Sequence, residues 1–261
     1  MPAEARFAVI VLAAQRDGQL DPLAAAAGVS HKCLVPIGGK PLLTHVLTAL
    51  AAVVGIESVR ISVEAGAEEG LRAIAEASGL PVQFVPAAAN ITDSVYLAAE
   101  GTTGPVVVTT ADNVLLTPAA VRQVADRLIA GDDTVVALAR KEDVLAAHPA
   151  GQRNFYKFRD GNFSNCNLYG LSQRGLVLAE AFRSGGQFFK NPMRIARAFG
   201  IMNLIVMRYG IVSIDGAMRR LGARFGVRAS ALVLADGAHA IDVDNARTYS
   251  IAAELLERRP A

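Results

Sequence analysis

Short apolar runs alternate with amphipathic stretches along the first half of the chain. Phe7-Ala8-Val9-Ile10-Val11-Leu12-Ala13-Ala14 predicts a buried strand over 7–14. Residues 41–54 carry a helical pattern opened by Pro41. A strand over 57–63, a helix over 66–78 stopped by Gly79 and a strand over 81–85 follow. The next helix, 93–100, takes Thr92 or Asp93 as its cap. Val106-Val107-Val108-Thr109-Thr110 reads as a fully buried strand that stops at Ala111-Asp112-Asn113, before a helix at 117–130 and a strand at 134–139. This alternation predicts an α/β fold: a mostly parallel sheet with helices on both faces. Ligands in such sheets sit beyond the carboxyl ends of the strands, so the loops after residues 14, 85 and 110 should share one crevice.

From about residue 150 the pattern changes. Residues 155–159 and 167–171 flank Asp160-Gly161-Asn162 and predict an antiparallel pair. Residues 174–183 read as helical, and 192–222 as two or three apolar helical stretches studded with Arg194, Arg197, Arg208, Arg219 and Arg220. A strand at 231–234, the segment Ala240-Ile241-Asp242-Val243-Asp244-Asn245 and a helix at 246–258 close the chain. Residues 199–209 are unusually apolar and leave three readings open: buried core, the face of a homodimer, or peripheral membrane contact. There is no internal repeat. One domain over 1–261 is expected, its pattern dividing it into 1–145, 146–239 and 240–261.

Composition narrows the class. Of 261 residues, 52% are hydrophobic and 19% charged, enough for a sizeable core and against general disorder. A net charge of +2 gives no footprint for nucleic acid. Two cysteines, Cys33 and Cys166, make neither a disulfide framework nor a four-thiolate site, and a reducing cytoplasmic setting is expected. The four histidines show no metal spacing.

The loop Gln15-Arg16-Asp17-Gly18, together with Lys32 and the turn Gly38-Gly39-Lys40-Pro41, is the candidate phosphate site. Lysine offers phosphate a movable point charge. Asp112 ends a buried strand, and Asp242 and Asp244 lie two apart, on one side of an extended segment. Such hard oxygen donors suit Mg²⁺ held between carboxylates and substrate phosphates; helix capping competes for Asp242 and Asp244. Asn90, Thr92 and Ser94 offer groups that read a base or ribose, or simply cap a helix. Asn162, Ser164, Asn165 and Asn167 are clustered polar groups suited to hydrogen-bonding hydroxyls, and Lys190 and Arg194 add positive charge further on. No G-x-x-x-x-G-K-[ST] or G-x-G-x-x-G is present, which excludes a P-loop and weakens an oxidoreductase reading.

Leu12-Ala13-Ala14-Gln15-Arg16-Asp17-Gly18, His31-Lys32-Cys33-Leu34 and Gly39-Lys40-Pro41-Leu42-Leu43 resemble the MobA-like nucleotidyltransferases, the molybdenum-cofactor guanylyltransferase and methylerythritol-phosphate cytidylyltransferase type. Gln15 departs from the family's first loop glycine, and the loop is longer. Asp93-Ser94-Val95 looks like the segment that sits against cytosine in the cytidylyltransferases. The resemblance implies a three-layer, nucleotide-diphospho-sugar transferase-like sandwich with a small antiparallel and helical insert. It implies transfer of a nucleoside monophosphate from a nucleoside triphosphate, CTP ahead of GTP, to a phosphorylated small-molecule or lipid-linked acceptor, releasing pyrophosphate. Lys32 and Arg16 would be catalytic; Leu12, Ala13, Ala14, Gln15, Asp17, Gly18, Asn90, Thr92, Ser94 and Asp112 would meet the nucleotide; Asn165, Asn167 and Lys190 would meet the acceptor; Asp112, Asp244 and Asp242 would hold Mg²⁺. Residues 1–145 would be the nucleotide-binding half, 146–239 an acceptor-binding or oligomerisation insert, and 240–261 a metal-binding segment with the last helix. A glycosyltransferase of the same architecture and a silent nucleotide-binding module are the alternatives.

Overall fold

The computed structural model describes residues 6–15, 19–183 and 210–259. Its centre is an eight-stranded sheet. In chain order the strands are β1 (Phe7–Leu12), β4 (Ile56–Val63), β5 (Val82–Pro86), β6 (Val106–Thr110), β7 (Thr134–Arg140), β8 (Tyr156–Phe158), β9 (Gly161–Leu171) and β10 (Ala229–Leu234). A two-stranded hairpin, β2 (Pro36–Ile37) with β3 (Lys40–Pro41), stands apart. The order across the sheet is β10-β7-β9-β6-β1-β4-β5, with β8 on β9. The pairs β1–β4, β1–β6, β4–β5 and β7–β10 are parallel; β9 runs antiparallel to β6, β7 and β8.

Period-two alternation assigns the two faces. Phe7, Val9 and Val11 of β1 pack with Leu43, Val46 and Leu50 of α2 (Leu42–Ala51), Val121 and Val124 of α5 (Pro118–Ile129) and Ile251 and Leu255 of α8 (Ala246–Arg258). Ala8 and Ile10 face the other way, toward Val95 and Ala98 of α4 (Ile91–Ala99). Further along that face, Leu138 and Phe163 meet Leu178 and the inner side of α7 (Ile214–Phe225), whose cap is Ser213. The shorter helices α1 (Pro22–Ala27), α3 (Glu68–Ala77) and α6 (Lys141–Ala147) complete the described set. No described helix is long and apolar enough to cross a membrane.

The α/β class and the mostly parallel sheet agree with the sequence expectation. Three local expectations change. The predicted pairing of 155–159 with 167–171 gives way to a tighter hairpin: Phe158 pairs with Gly161 across Arg159-Asp160, and 168–171 continues between β6 and β7. Phe163, Cys166, Leu168 and Leu171 are all buried, and a strand with apolar groups on both faces belongs in the sheet's interior. Asn90, rather than Thr92 or Asp93, caps α4 by accepting from the Asp93 amide at 3.0 Å. Residues 175–182 form 3₁₀ turns. The apolar stretch at 199–209 lies outside the described residues, as do Lys190, Arg194 and Arg197.

Candidate functional site

Lys32 opens a single 3₁₀ turn, Lys32–Leu34, in the loop that leads to β2. That loop is tied down from several sides. The Tyr249 hydroxyl donates to the Pro36 carbonyl at 2.7 Å, the Leu42 amide donates to Val35 O at 3.0 Å, and a His45 ring nitrogen lies 3.0 Å from Ile37 O. Cys33 is buried beneath, and burial pushes its thiol up to about 12, so it is an inert packing group. Lys32 Nζ lies 2.5 Å from Asp112 Oδ2 and 3.1 Å from Asp244 Oδ1. Burial alone would lower the lysine's pKa, but the two carboxylates outweigh it and the net shift is upward.

Asp112 follows β6. Thr110 Oγ1 donates to its Oδ1 at 2.5 Å, and its own carbonyl accepts from Val243 N at 3.1 Å. The second bond clips the Asp242–Asp244 segment beside the end of β6. Neither of these aspartates caps α8. Asn245 does so, in a capping box with Thr248, which leaves both carboxylates for the site. Asp112, Asp242 and Asp244 each place one carboxylate oxygen within 4.8 Å of the others. Burial raises Asp242 well above the ordinary carboxylate range, and the charges of Asp244 and Asp112 add to the shift. Three carboxylates so close demand positive charge, of which Lys32 supplies one unit. The hard-oxygen donor set and the raised Asp242 both fit a divalent cation.

A third element reaches the cluster from mid-strand. Between Val136↔Tyr169 and Leu138↔Asn165 the β7–β9 ladder is irregular, with more residues on β9 than on β7. Asn167 sits in that bulge at φ 47°, the one described non-glycine residue with positive φ. Asparagine tolerates this left-handed conformation better than most residues. The bulge aims Asn167 at the site: its Nδ2 donates to Asp242 Oδ2 at 3.0 Å, and its Oδ1 accepts from Asn165 Nδ2 at 2.9 Å. Asn165 also donates to the Tyr169 hydroxyl.

Lys32, Asp112, Asp242, Asp244, Asn165 and Asn167 are thus brought together by the fold. Leu12, Asp112, Asp242, Asp244, Asn165 and Asn167 line one cavity of about 230 Å³. In the loop after β1, Ala13 is buried and Ala14 exposed. Gln15 acts as a staple: its amide donates to Glu64 Oε1 at 2.5 Å, its Oε1 accepts from Asp21 N and its Nε2 donates to Ser30 O, both at 3.1 Å. Arg16, Asp17, Gly18 and Lys190 lie outside the described residues. In the 88–94 turn, Ser94 Oγ donates to Asn90 O and accepts from Ala88 N, both at 2.9 Å. Thr92 departs from its expected role: it is fully buried and donates to Ala179 O at 2.7 Å, sealed from ligand by the contact between α4 and the 3₁₀ turns.

Sequence reading missed the supports Thr110, Tyr249, Glu64 and Asn113. Asn113 Nδ2 bridges Thr109 Oγ1 and the Cys166 carbonyl from within the core. Only the polar pair Asn113 and Thr110, flanking Asp112 at the end of an apolar run, carried a local signal.

The model for the MobA-like NTP transferase domain matches residues 9–181, more than half of the chain. The chain belongs to this family. A hypothetical transferase from Thermus thermophilus superposes with a TM-score of 0.74 at 29% identity, covering 94% of this chain and 99% of that one. The 4-diphosphocytidyl-2C-methyl-D-erythritol synthase of Anaerococcus prevotii gives 0.60 at 10% identity, with 97% of each chain covered. A CMP:2-keto-3-deoxy-manno-octonic acid synthetase solved with CTP gives 0.60 at 12%, covering 97% and 99%. These last two share the fold. No curated protein matches the chain. Within the family's matched span lie Lys32, Asp112, Asn165 and Asn167; Asp242 and Asp244 come from beyond it.

Proposed function

We propose that the chain transfers a nucleoside monophosphate from a nucleoside triphosphate, CTP ahead of GTP, to the phosphate of an acceptor. The observation that carries this reading is the meeting of Lys32 with Asp112 and Asp244, 80 and 212 positions away along the chain. The two cytidylyl-type neighbours named above favour cytosine. Residues 1–145 would hold the nucleotide, 146–239 the acceptor, and 240–261 would complete the metal site.

Asp112, Asp242 and Asp244 would hold Mg²⁺. When bound, the ion supplies Lewis-acid charge for the triphosphate and the departing pyrophosphate. An acceptor phosphate oxygen forms a bond to the α-phosphorus. The bond from that phosphorus to the oxygen bridging it to the β-phosphate breaks, and pyrophosphate carries away the electron pair. A phosphate nucleophile is already anionic, so no strong base is needed, and catalysis is positioning and charge neutralisation. Lys32, kept protonated by its neighbours, neutralises charge on the α-phosphoryl oxygens. Asn167 orients Asp242, and Thr110 orients Asp112.

The test is incubation of the full chain with each ribonucleoside triphosphate, Mg²⁺ and a panel of phosphorylated acceptors, with pyrophosphate release as readout. CTP-dependent release that needs both Mg²⁺ and an acceptor is expected. Transfer from a nucleotide-sugar without pyrophosphate release would replace this reading with a glycosyltransferase.

A further inference from the structure

The cavity beside the carboxylates has two unlike ends. One is polar: Asp112, Asp242 and Asp244, with Asp244 exposed to solvent. The other is lined by Val136 and Leu138 of β7, Leu178, and Ile214, Met218 and Leu221 from the inner side of α7. Leu178, Ile214 and Met218 are buried at 3%, 4% and 7% exposure, so this end lies in the protein interior. Its polar side chains are few, Thr134, Tyr156 and Tyr169. Thr134 Oγ1 donates to Gly175 O at 3.4 Å, and the Tyr169 hydroxyl accepts from Asn165. A sugar or base pushed among these side chains would replace few of the hydrogen bonds it gives up to water; the buried Asn165 Oδ1, which has no partner, lines the same cavity but offers a single acceptor. An aliphatic chain would lose nothing of the kind and would leave water for an apolar wall.

We infer that this cavity receives the apolar chain of the acceptor, an alkyl or isoprenyl phosphate monoester whose phosphate stays at the carboxylate end. The inference rests on the nucleotidyltransferase reading above and names its acceptor class. Size agrees: a dry apolar cavity of about 150 Å³ takes up benzene, and this one is about 230 Å³. Continuity agrees as well, because the carboxylates and the apolar side chains line the same space. The phosphate and the chain of one amphiphile therefore match its two ends.

Binding of ethyl, butyl, hexyl and octyl phosphate to the full chain, with Mg²⁺ and CTP present, is measured by calorimetry against glycerol 3-phosphate. Affinity should rise about fourfold per added methylene until the cavity is full, the factor expected from burying one methylene. Glycerol 3-phosphate should bind no better than ethyl phosphate. Met218→Phe and, independently, Leu178→Phe narrow the apolar end; each should flatten the series while keeping CTP binding, with thermal unfolding confirming the fold. Pyrophosphate release should follow the ranking of affinities. Octyl phosphate in solution and farnesyl phosphate in phosphatidylcholine vesicles then separate a free ester from a lipid-borne one, and turnover of either supports the inference. A flat alkyl series with CTP binding intact overturns it and leaves the nucleotidyltransferase reading standing. CTP binding lost in step with alkyl binding in both narrowed variants would mean that the cavity holds the base, which also overturns it. If CTP does not bind the unaltered chain at all, the failure lies with the nucleotidyltransferase reading itself.

Discussion

The parallel half of the sheet and the inserted strand β9 build the site in different ways. In the parallel half the chemistry sits at chain ends of elements: Asp112 follows β6, and Lys32 rides a loop beyond β1. The central strands β1 and β6 are buried up to their last residues, and the polar groups begin where the strand stops. In β9 the chemistry sits mid-strand, at a bulge that turns Asn167 toward Asp242 while Cys166 and Leu168 on either side remain in the core. The first arrangement follows from topology, since parallel strands deliver their loops to one edge. The second depends on one irregular register, so it is both more local and easier to break.

The largest effect is expected at the strand ends. Asp112→Asn and Lys32→Ala should each lower the rate of pyrophosphate release by about 10²- to 10³-fold, the range for losing one preorganised charge partner. Circular dichroism should show the fold retained. A smaller loss in both variants would place the reacting phosphates elsewhere.

The bulge should give an intermediate effect. Asn167→Ala and Asn167→Gly both remove the bond to Asp242, so both should lose about 10- to 100-fold in activity, as for other groups that orient a metal ligand. They should differ in stability. Alanine at φ 47° is strained by roughly 1 kcal/mol that glycine avoids, and urea midpoints should separate the two. Equal midpoints would argue against the left-handed bulge.

Packing of β9 in the sheet comes next. A Cβ on Gly170 would meet Val124 Cγ1 at 2.8 Å and Leu128 Cδ1 at 2.9 Å. Gly170→Ala should therefore cost about 1–3 kcal/mol of stability from overpacking, with activity at low temperature preserved. A neutral result would mean that α5 can move away from β9.

The smallest effect concerns acid stability near the end of the chain. The His239 ring, its Nδ1 3.4 Å from the carboxylate, works against burial and, helped by the Ala238 amide and Arg259, holds Asp236 down to about 2 from the usual 3.8. A carboxyl depressed on folding stabilises fully above its unfolded value and loses that contribution as pH falls through its folded value. The urea midpoint should drop between about pH 4 and pH 2 in the parent chain. Asp236→Asn should show a shallower drop over that window. Identical pH profiles would remove Asp236 from the account.

The same contrast explains what was legible in the sequence. The apolar runs at 7–12, 106–110 and 134–139 exposed the parallel core, and Asp112, at the end of one of them, could be picked out as a candidate from position alone. The last helix was legible too, but its cap was not: Asn245 and the aspartates before it are all good caps, and only the capping box with Thr248 separates them. β9 misled because its alternation fits a hairpin partner as well as a place between β6 and β7. Thr92 misled because a residue at a helix start looks exposed until the 3₁₀ turns at 175–182 are packed over it. Gln15, expected against the nucleotide, spends both ends of its amide holding the loop between Asp21 and Ser30, a long-range tie with no local pattern.

The central claim is that Lys32, Asp112, Asp242 and Asp244 form one polyphosphate–metal site. The most direct measurement is the thermal midpoint of the chain with CTP, with and without Mg²⁺, in the parent and in Asp112→Asn. A ligand at a hundred times its dissociation constant adds about 2.7 kcal/mol of stability, which is readily seen as a raised midpoint. The account predicts a rise with CTP that needs Mg²⁺ in the parent and is absent in Asp112→Asn. A rise of the same size in both proteins, or one indifferent to Mg²⁺, would contradict it.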